Sequence, residues 1–147
     1  MNRFCAFRTI DIKEYKGDMD DFLAAALKHM NSGSAALESL SRQLRTTLSN
    51  NLHLFGKHAF RKHKRGQDAR SVLNASLWDV ISTGLSRYTE PIVKYHADAL
   101  RDKFYGLMDD EDFVTAVTYG PNDPKKVAYR FSAVRTALSE VFDADAA

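Results

Sequence analysis

The 147-residue sequence has a single cysteine, Cys5, which excludes an intrachain disulfide and a cluster of cysteine metal ligands. It also lacks any apolar run close to the roughly 20 residues that cross a bilayer. Its N-terminal segment is too polar for a secretory signal. We therefore expect a cytoplasmic protein without membrane contact. With 44% hydrophobic and 27% charged residues, the composition is that of one ordinary globular domain.

The common motifs for nucleophilic, phosphate-binding and zinc-dependent catalysis are missing: G-x-S-x-G, the P-loop and H-E-x-x-H. His53, His58 and His63 follow one another at intervals of five residues, which on a helix would point them in different directions. Solvated histidines are therefore favoured over a shared metal ion. We expect no cofactor, no metal site, no catalytic residue and no enzymatic activity.

A competing enzyme hypothesis needs titratable side chains to converge in one pocket. The sequence offers His96, Tyr95, Tyr105 and the acidic residues 109–112, but their spacing does not predict mutual contact. His96 lies on an apolar helical face, which is typical of a histidine at the edge of a core. The acidic cluster directly precedes an apolar stretch, and this favours helix capping over metal binding.

Acidic residues are absent from residues 39–67, although that block holds seven Lys or Arg. Five of these basic residues and two histidines fall within residues 57–65, directly after Gly56. The run predicts either a solvated bend between helices or a surface that binds the phosphates of DNA or RNA with steep salt dependence. The candidate nucleic-acid-binding residues are Arg42, Arg45, Lys57, Arg61, Lys62, Lys64 and Arg65.

Apolar residues recur every three or four positions along most of the chain, a pattern typical of amphipathic helices. Asp18 and Asp123 are predicted N-caps, Gly56 a C-terminal stop, and Pro91 a first-turn proline. The predicted inward faces are Met19/Phe22/Leu23/Ala26/Leu27/Met30, Leu37/Leu40/Leu44/Leu48/Leu52/Phe55, Leu73/Leu77/Trp78/Ile81/Leu85/Tyr88, Val93/His96/Ala97/Leu100/Phe104/Leu107, Phe113/Val114/Val117 and Val127/Phe131/Val134/Leu138/Val141.

These stretches predict an all-α fold, a compact bundle of about five to six helices within a single domain spanning 1–147. Residues 18–142 are the predicted helical core, and 143–147 a frayed tail. Residues 1–17 are predicted to be an extended arm, because "RFCAFRTIDI" is rich in aromatic and β-branched residues but has no partner strand. We expect this arm to pack against the helices or to adjoin another polypeptide.

Four segments, taken in order, resemble a known family. They are "NRF-x-AFR" (Asn2 to Arg8), "Y-x-GDMDDFL" (Tyr15 to Leu23), "LFGKHAFRK" (Leu54 to Lys62) and "LMDDEDFVTAVTYGPNDPKKVAYRF" (Leu107 to Phe131). Nearly the whole chain is similar to the C-terminal part of proteins with the GmrSD-type restriction endonuclease subunit S domain. That family is also described as ParB/sulfiredoxin-like and as domain of unknown function 262.

The resemblance implies a helical module related to phage-defence restriction proteins, without their catalytic half. Family members carry a D-G-Q-Q-R-type motif in that half, and "RGQDAR" (Arg65 to Arg70) does not match it. The HNH-type nuclease that many members carry or pair with is also missing. The resemblance therefore transfers no catalytic residue to this chain. It implies that the module acts through protein contact, with a separate catalytic subunit or with a second copy of itself.

Overall fold

The computed structural model describes residues 1–144, except for the side chains at positions 34 and 35. Helices make up most of this range. The predicted tail therefore lies mostly outside the described residues. The helices are α1 (Asn2–Thr9), α2 (Met19–Met30), α3 (Ser34–Phe55), α4 (Ala75–Leu77), α5 (Thr83–Leu85), α6 (Glu90–Tyr95), α7 (Ala97–Asp109), α8 (Glu111–Thr118) and α9 (Pro124–Phe142). The predicted all-α bundle is confirmed.

Carboxylate caps define where several helices begin. Asp18 accepts a hydrogen bond from the backbone N–H of Asp21 at 2.9 Å, and α2 starts at the next residue after the cap. Asp110 caps α8 in the same way, by accepting from the N–H of Phe113 at 2.9 Å. Asp123 caps α9, whose first turn contains Pro124. The capping interpretation of the acidic cluster is therefore confirmed at Asp110.

The N-terminal segment is a helix, not the predicted extended arm. Phe4 and Ala6 of α1 are fully buried, and Phe7 is 8% exposed. The aromatic residues that suggested a strand instead bury one side of α1 against α2 and the centre of the bundle. Tertiary packing of these side chains overrides the local preference for extended backbone. Residues 2–9 are therefore an integral part of the core.

The buried face of α3 is rotated from the predicted leucine stripe. Leu40 is buried, but Leu37, Leu48 and Leu52 are 46%, 42% and 66% exposed. The fully buried positions are polar: Thr47, Asn50 and Asn51. Thr47 Oγ1 donates to the Ser82 carbonyl at 2.7 Å, and Asn50 Nδ2 donates to the carbonyls of Leu85 and Tyr88 at 3.1 and 3.0 Å. Satisfying these buried carbonyls sets the orientation of α3.

The stretch after α4 departs from regular α-helix. Trp78–Ser82 forms a π-helical turn between α4 and α5, so the three pieces run on as one interrupted helix. Leu73, which was predicted to face inward, lies before this turn and is 65% exposed, so it does not belong to the buried face. The single predicted helix after Pro91 is also divided, because the backbone at His96 (φ −95°, ψ 15°) leaves helical geometry between α6 and α7.

Buried polar residues on these elements give a matched test. We expect Thr47→Val to lower the free energy of unfolding by about 1–3 kcal/mol, because it removes a buried hydrogen bond to a carbonyl. Thr83→Val should change it by less than about 0.5 kcal/mol, because the buried Oγ1 of Thr83 has no hydrogen-bond partner. Urea denaturation of both variants measures the difference. Equal losses would contradict the hydrogen-bond assignment.

A buried ionic cluster joins α1 and α9 to the π-helical turn. Arg3 donates from Nε to Asp79 Oδ1 at 2.8 Å and from Nη2 to Oδ2 at 2.5 Å. Arg130 Nη2 lies 3.4 Å from the same Oδ2, and its Nη1 donates to the Pro121 carbonyl at 2.6 Å. The side chains of Asp79 and Arg130 are both 0% exposed. We call this cluster the Asp79 clasp.

Around the clasp, the apolar core is built mainly from the middle and last helices, with α1 and α2 closing one side. Leu77, Val93 and Phe113 are fully buried at its centre. Within residues 1–144, no helix combines the length and the apolar character that crossing a bilayer requires.

Candidate functional site

The basic run of residues 57–65 forms an ordered loop on the surface. A short 3₁₀ turn, Gly56–His58, follows α3, and an isolated bridge pairs Arg61 with Leu73. Phe60 adopts a left-handed conformation (φ 59°), and its carbonyl accepts a hydrogen bond from the Asn74 N–H at 2.9 Å. The aromatic ring of Phe60 packs edge-on to Trp78, with ring centroids 4.6 Å apart. The loop therefore has a fixed shape.

Most of the charges in this loop have partners within the protein. Lys57 pairs with Asp68 at 2.5 Å, and Lys62 Nζ donates to Thr118 Oγ1 at 3.0 Å. Arg61 donates from Nη1 to the Ser71 carbonyl. These contacts indicate that several of the predicted phosphate ligands also maintain the structure of the loop.

Arg65 and Lys64 differ in whether their side chains have partners within the protein. Arg65 pairs with Asp102 at 2.5 Å and lies over the Tyr105 ring, 4.6 Å from its centroid. Lys64, by contrast, is exposed, and its side chain has no hydrogen bond or ion pair within the described part of the chain. Lys57 and Arg65 are exposed as well, despite their ion pairs. Nucleic-acid contact through this loop stays a prediction, and phosphates would compete there with the protein's own carboxylates.

Arg42 and Arg45 are exposed residues of α3 and lie far from the loop. At a rise of about 1.5 Å per residue, they are about 20 and 15 Å from Phe55 along the helix axis. The sequence therefore groups two separate surfaces into one candidate set. Arg42 instead borders a groove together with Arg87 and Lys94.

The five-residue spacing predicted that the three histidines point in different directions, and this is wrong for two of them. The rings of His58 and His63 stack with centroids 4.6 Å apart, because α3 ends at Phe55 and the chain reverses. His63 is 4% exposed and also stacks on Phe104. Its Nδ1 donates to the Arg61 carbonyl at 2.9 Å, and its Nε2 accepts from the Tyr105 hydroxyl at 3.3 Å. Both ring nitrogens therefore have protein partners.

Burial lowers the pKa of His63, and the neighbouring His58 contributes in the same direction. In the unfolded chain this histidine takes up a proton as the pH falls below about 6.5, whereas the native imidazole resists it. The unfolded state then binds more protons, so we expect the free energy of unfolding to fall on acidification below that pH.

The test of this pH dependence is denaturation at several pH values of wild type, His63→Phe and a control. His63→Phe keeps an aromatic ring at the site and should flatten the decline in stability between about pH 7 and pH 5. His53→Phe, at an exposed position of α3, should retain the wild-type slope. An unchanged slope in His63→Phe would show that other groups cause the decline.

The side chains of the enzyme hypothesis lie in separate surroundings. Tyr105 packs against His63, with ring centroids 5.5 Å apart. Tyr95 is 81% exposed beside His96, whose ring also contacts Phe142. Among the described residues, no three His, Cys, Asp or Glu side chains are placed to hold a metal ion.

A groove of about 580 Å³ opens between the C-terminal end of α1, α5 and α9. Its volume is in the range of pockets that bind ligands. Its floor is apolar and is made of Phe7, Val80, Phe131, Val134 and Leu138. Gly84 also lines it, and a Cβ there would lie 2.7 Å from Leu138 Cδ1, so glycine permits the close approach of α5 to α9. We call this feature the arginine groove, after its rim.

Three arginines, Arg8, Arg87 and Arg135, line the arginine groove. Arg8 Nε donates to Gln43 Oε1 at 2.7 Å. Within residues 1–144, none of the three has a carboxylate partner within salt-bridge distance. Burial, and secondarily the charge of Arg87, lowers the pKa of Arg8. The rim is therefore a concentration of uncompensated positive charge.

A second, more open groove continues from the first, with Arg87 and Tyr88 lining both. It has a volume of about 560 Å³ and is bordered by Arg42 and by Lys94, which lies 3.9 Å from Glu90. Together the two grooves form an extended surface with an arginine at the junction.

Sequence reasoning missed the arginine groove. Its three arginines stand at positions 8, 87 and 135 and belong to no local charge cluster. Only the packing of α1 against α5 and α9 brings them together.

Comparison of the chain with protein-family models, curated proteins and solved structures finds no match. The resemblance to the GmrSD-type family therefore stays a prediction.

Proposed function

We propose that this chain is a non-catalytic docking module that binds a segment of a protein partner in the arginine groove. The observation that carries the proposal is the groove itself, an open cleft with an apolar floor beside α1. Apolar clefts rimmed by polar residues commonly mark interaction sites. The resemblance to phage-defence restriction proteins favours a separate catalytic subunit as the partner, with a second copy of this chain as the other choice.

The location of the groove agrees with the expectation that a partner meets the N-terminal segment. Residues 7–12 line one wall, from the last turns of α1 to the following 3₁₀ turn. Since α1 is packed into the core, the partner would meet a fixed surface and not a mobile arm. Fixed surfaces reduce the entropy lost on binding.

A groove-blocking variant tests this proposal. Ser139 lines the groove from α9 and is only partly buried, so Ser139→Trp should fill the groove while preserving the fold. We expect peptides selected from a random displayed library against the wild-type protein to lose at least about tenfold in affinity for Ser139→Trp. Ser41→Trp, at an exposed position of α3, is the control and should bind normally. Selected peptides that bind Ser139→Trp as well as wild type would overturn the proposal.

Self-association is tested separately, by sedimentation equilibrium over a range of protein concentrations. A dimer that dissociates in Ser139→Trp would identify a second copy as the occupant. A monomer at all concentrations would leave a different protein as the partner and would not affect the peptide experiment.

The second candidate function is nucleic-acid binding through residues 57–65. The observation that favours it is the exposure of Lys57, Lys64 and Arg65 on one fixed loop. We expect any such affinity to fall steeply between about 50 and 200 mM salt. Lys64→Ala should weaken it without affecting the fold, whereas Arg45→Ala, on the distant part of α3, should not. Equal effects of both substitutions would remove the loop as the binding surface.

A further inference from the structure

We propose that the segment which occupies the arginine groove is an acidic amphipathic peptide, with carboxylates facing Arg8, Arg87 and Arg135 and apolar side chains on the floor. This inference rests on the proposed docking function and adds the chemistry of the partner. The charge of the rim and the packing of the floor each exclude a different class of ligand.

The charge component comes from the rim. Arg87 and Arg135 are exposed, and neither makes a hydrogen bond or ion pair through its side chain within residues 1–144. Arg8 uses only its Nε, for Gln43, so its two terminal nitrogens are free of protein partners in the same range. Guanidinium groups bind carboxylates through two parallel hydrogen bonds, which are among the stronger polar contacts in proteins.

Among the described residues one carboxylate lines the groove, against three arginines, so the rim keeps a net positive charge. Asp11 lines the wall, but its Oδ1 accepts from the backbone N–H of Lys13 at 2.9 Å and caps the 3₁₀ turn. Burial is the main cause of the lowered pKa of Arg8, and the charge of Arg87 in the same groove adds to it. A carboxylate between them would relieve this repulsion, so the groove favours a negatively charged occupant.

The packing component comes from the floor. The partly buried Phe131 and Leu138 supply most of its accessible apolar surface, whereas Phe7, Val80 and Val134 add little because they are only 8%, 1% and 3% exposed. A polyanion without apolar groups would leave this floor uncovered. A purely apolar segment would cover it but remove water from the arginines without replacing its hydrogen bonds. An amphipathic segment satisfies both parts of the groove.

The length of the surface favours a peptide over a small molecule. The arginine groove continues at Arg87 and Tyr88 into the second groove, which carries Arg42 and Lys94. A segment that runs along both would meet Arg87 at the junction and then Arg42, whereas Lys94 lies 3.9 Å from Glu90 in the second groove. One face of the Tyr88 ring stacks on Phe142, with ring centroids 3.8 Å apart.

The test uses the selected peptides whose affinity is lost in Ser139→Trp. Each is made in its acidic form and in an amide form, with every Asp changed to Asn and every Glu to Gln. Fluorescence anisotropy with wild-type protein should show at least about tenfold weaker binding of the amide form. Arg87→Gln and Arg135→Gln should each weaken the acidic peptide by about five- to tenfold and leave the amide form unchanged. Arg45→Gln, an exposed arginine outside both grooves, is the matched control. Circular dichroism melts should be unchanged in all three variants.

The outcomes separate this inference from the proposed function. Groove-dependent peptides that are not acidic, or that bind equally well as amides, would overturn the acidic partner but keep the docking site. Peptides that bind Ser139→Trp as tightly as wild type would rule out the docking site and, with it, this inference. A single-stranded oligonucleotide that displaces the peptide, and that also weakens in Arg87→Gln and Arg135→Gln, would identify a nucleic acid as the occupant and overturn the inference.

Discussion

Replacing Asp79 with alanine is expected to lower the free energy of unfolding by about 3–5 kcal/mol, because it leaves the buried guanidinium of Arg130 without its carboxylate. Both side chains are 0% exposed, and this burial raises the pKa of Asp79 and lowers the pKa of Arg130. A charge left unpaired in such surroundings cannot be solvated without opening the core. Urea denaturation monitored by circular dichroism measures the loss.

Asp68→Ala is the control for this substitution. Asp68 also pairs with a basic residue, Lys57, but its side chain is 97% exposed. Its removal should leave the stability unchanged within error, because exposed ion pairs contribute little. A result in which Asp79→Ala and Asp68→Ala are equally mild would show that water reaches the Asp79 clasp in solution.

The double variant Asp79→Leu/Arg130→Met separates the cost of an unpaired charge from the contribution of the pair. Replacing both buried partners by apolar residues of similar size removes the charges together, so we expect it to be less destabilising than Asp79→Ala alone. Arg3, whose side chain is 24% exposed, would then turn toward solvent. A double variant that is worse than the single one would assign the effect to packing around Arg130.

Phe4→Ala is expected to cost about 3–5 kcal/mol of unfolding free energy, as for other fully buried phenylalanines. Phe4 packs against Met30 and Leu40, with Trp78 beside them, so its loss leaves a cavity between α1, α2 and α3. An extended arm on the surface would tolerate the same change with little effect. The experiment therefore tests directly whether residues 2–9 belong to the core.

Leu52→Ala is the matched control, since Leu52 is 66% exposed on α3 and should change stability by less than about 0.5 kcal/mol. Hydrogen exchange adds a second measurement, because the amides of α1 should exchange only through large-scale unfolding in wild type. Rapid exchange of α1 amides in the wild-type protein would show that this helix detaches alone.

The helical class and several helix boundaries could be predicted because they depend on neighbouring residues. Asp18, Asp110 and Asp123 cap the nearest N–H groups, and such contacts can be read from a short window of sequence. Gly56 ends α3 with a φ of 51°, which glycine adopts readily. Each of these features needs no information about the rest of the chain.

The orientation of helices could not be predicted in the same way. On α3, an apolar stripe that includes Leu48 and Leu52 competes with a polar face that carries Thr47 and Asn50. The polar face is buried because distant carbonyls, at Ser82 and Leu85, accept its hydrogen bonds. Hydrophobic periodicity alone cannot detect partners 35 residues away.

The arginine groove escaped prediction for the same reason, whereas the basic loop attracted attention because its charges are adjacent in sequence. Arg61 and Arg65 gain internal partners from Ser71 and Asp102, which lie outside the basic run. Local charge density therefore overestimates how much positive charge is available to a ligand. Arg135 stands apart from other charges of its sign in the sequence and has no carboxylate partner within residues 1–144.

The Asp79 clasp joins residues that are synthesised at widely separated times during translation. Arg3 and Asp79 are separated by 76 residues, and another 51 residues separate Asp79 from Arg130. A growing chain that ends before Asp79 lacks the carboxylate partner of Arg3, and one that ends before Arg130 lacks the second guanidinium of the clasp. Nascent chains that stop before α9 would therefore hold the Arg3–Asp79 pair without the second guanidinium, that of Arg130.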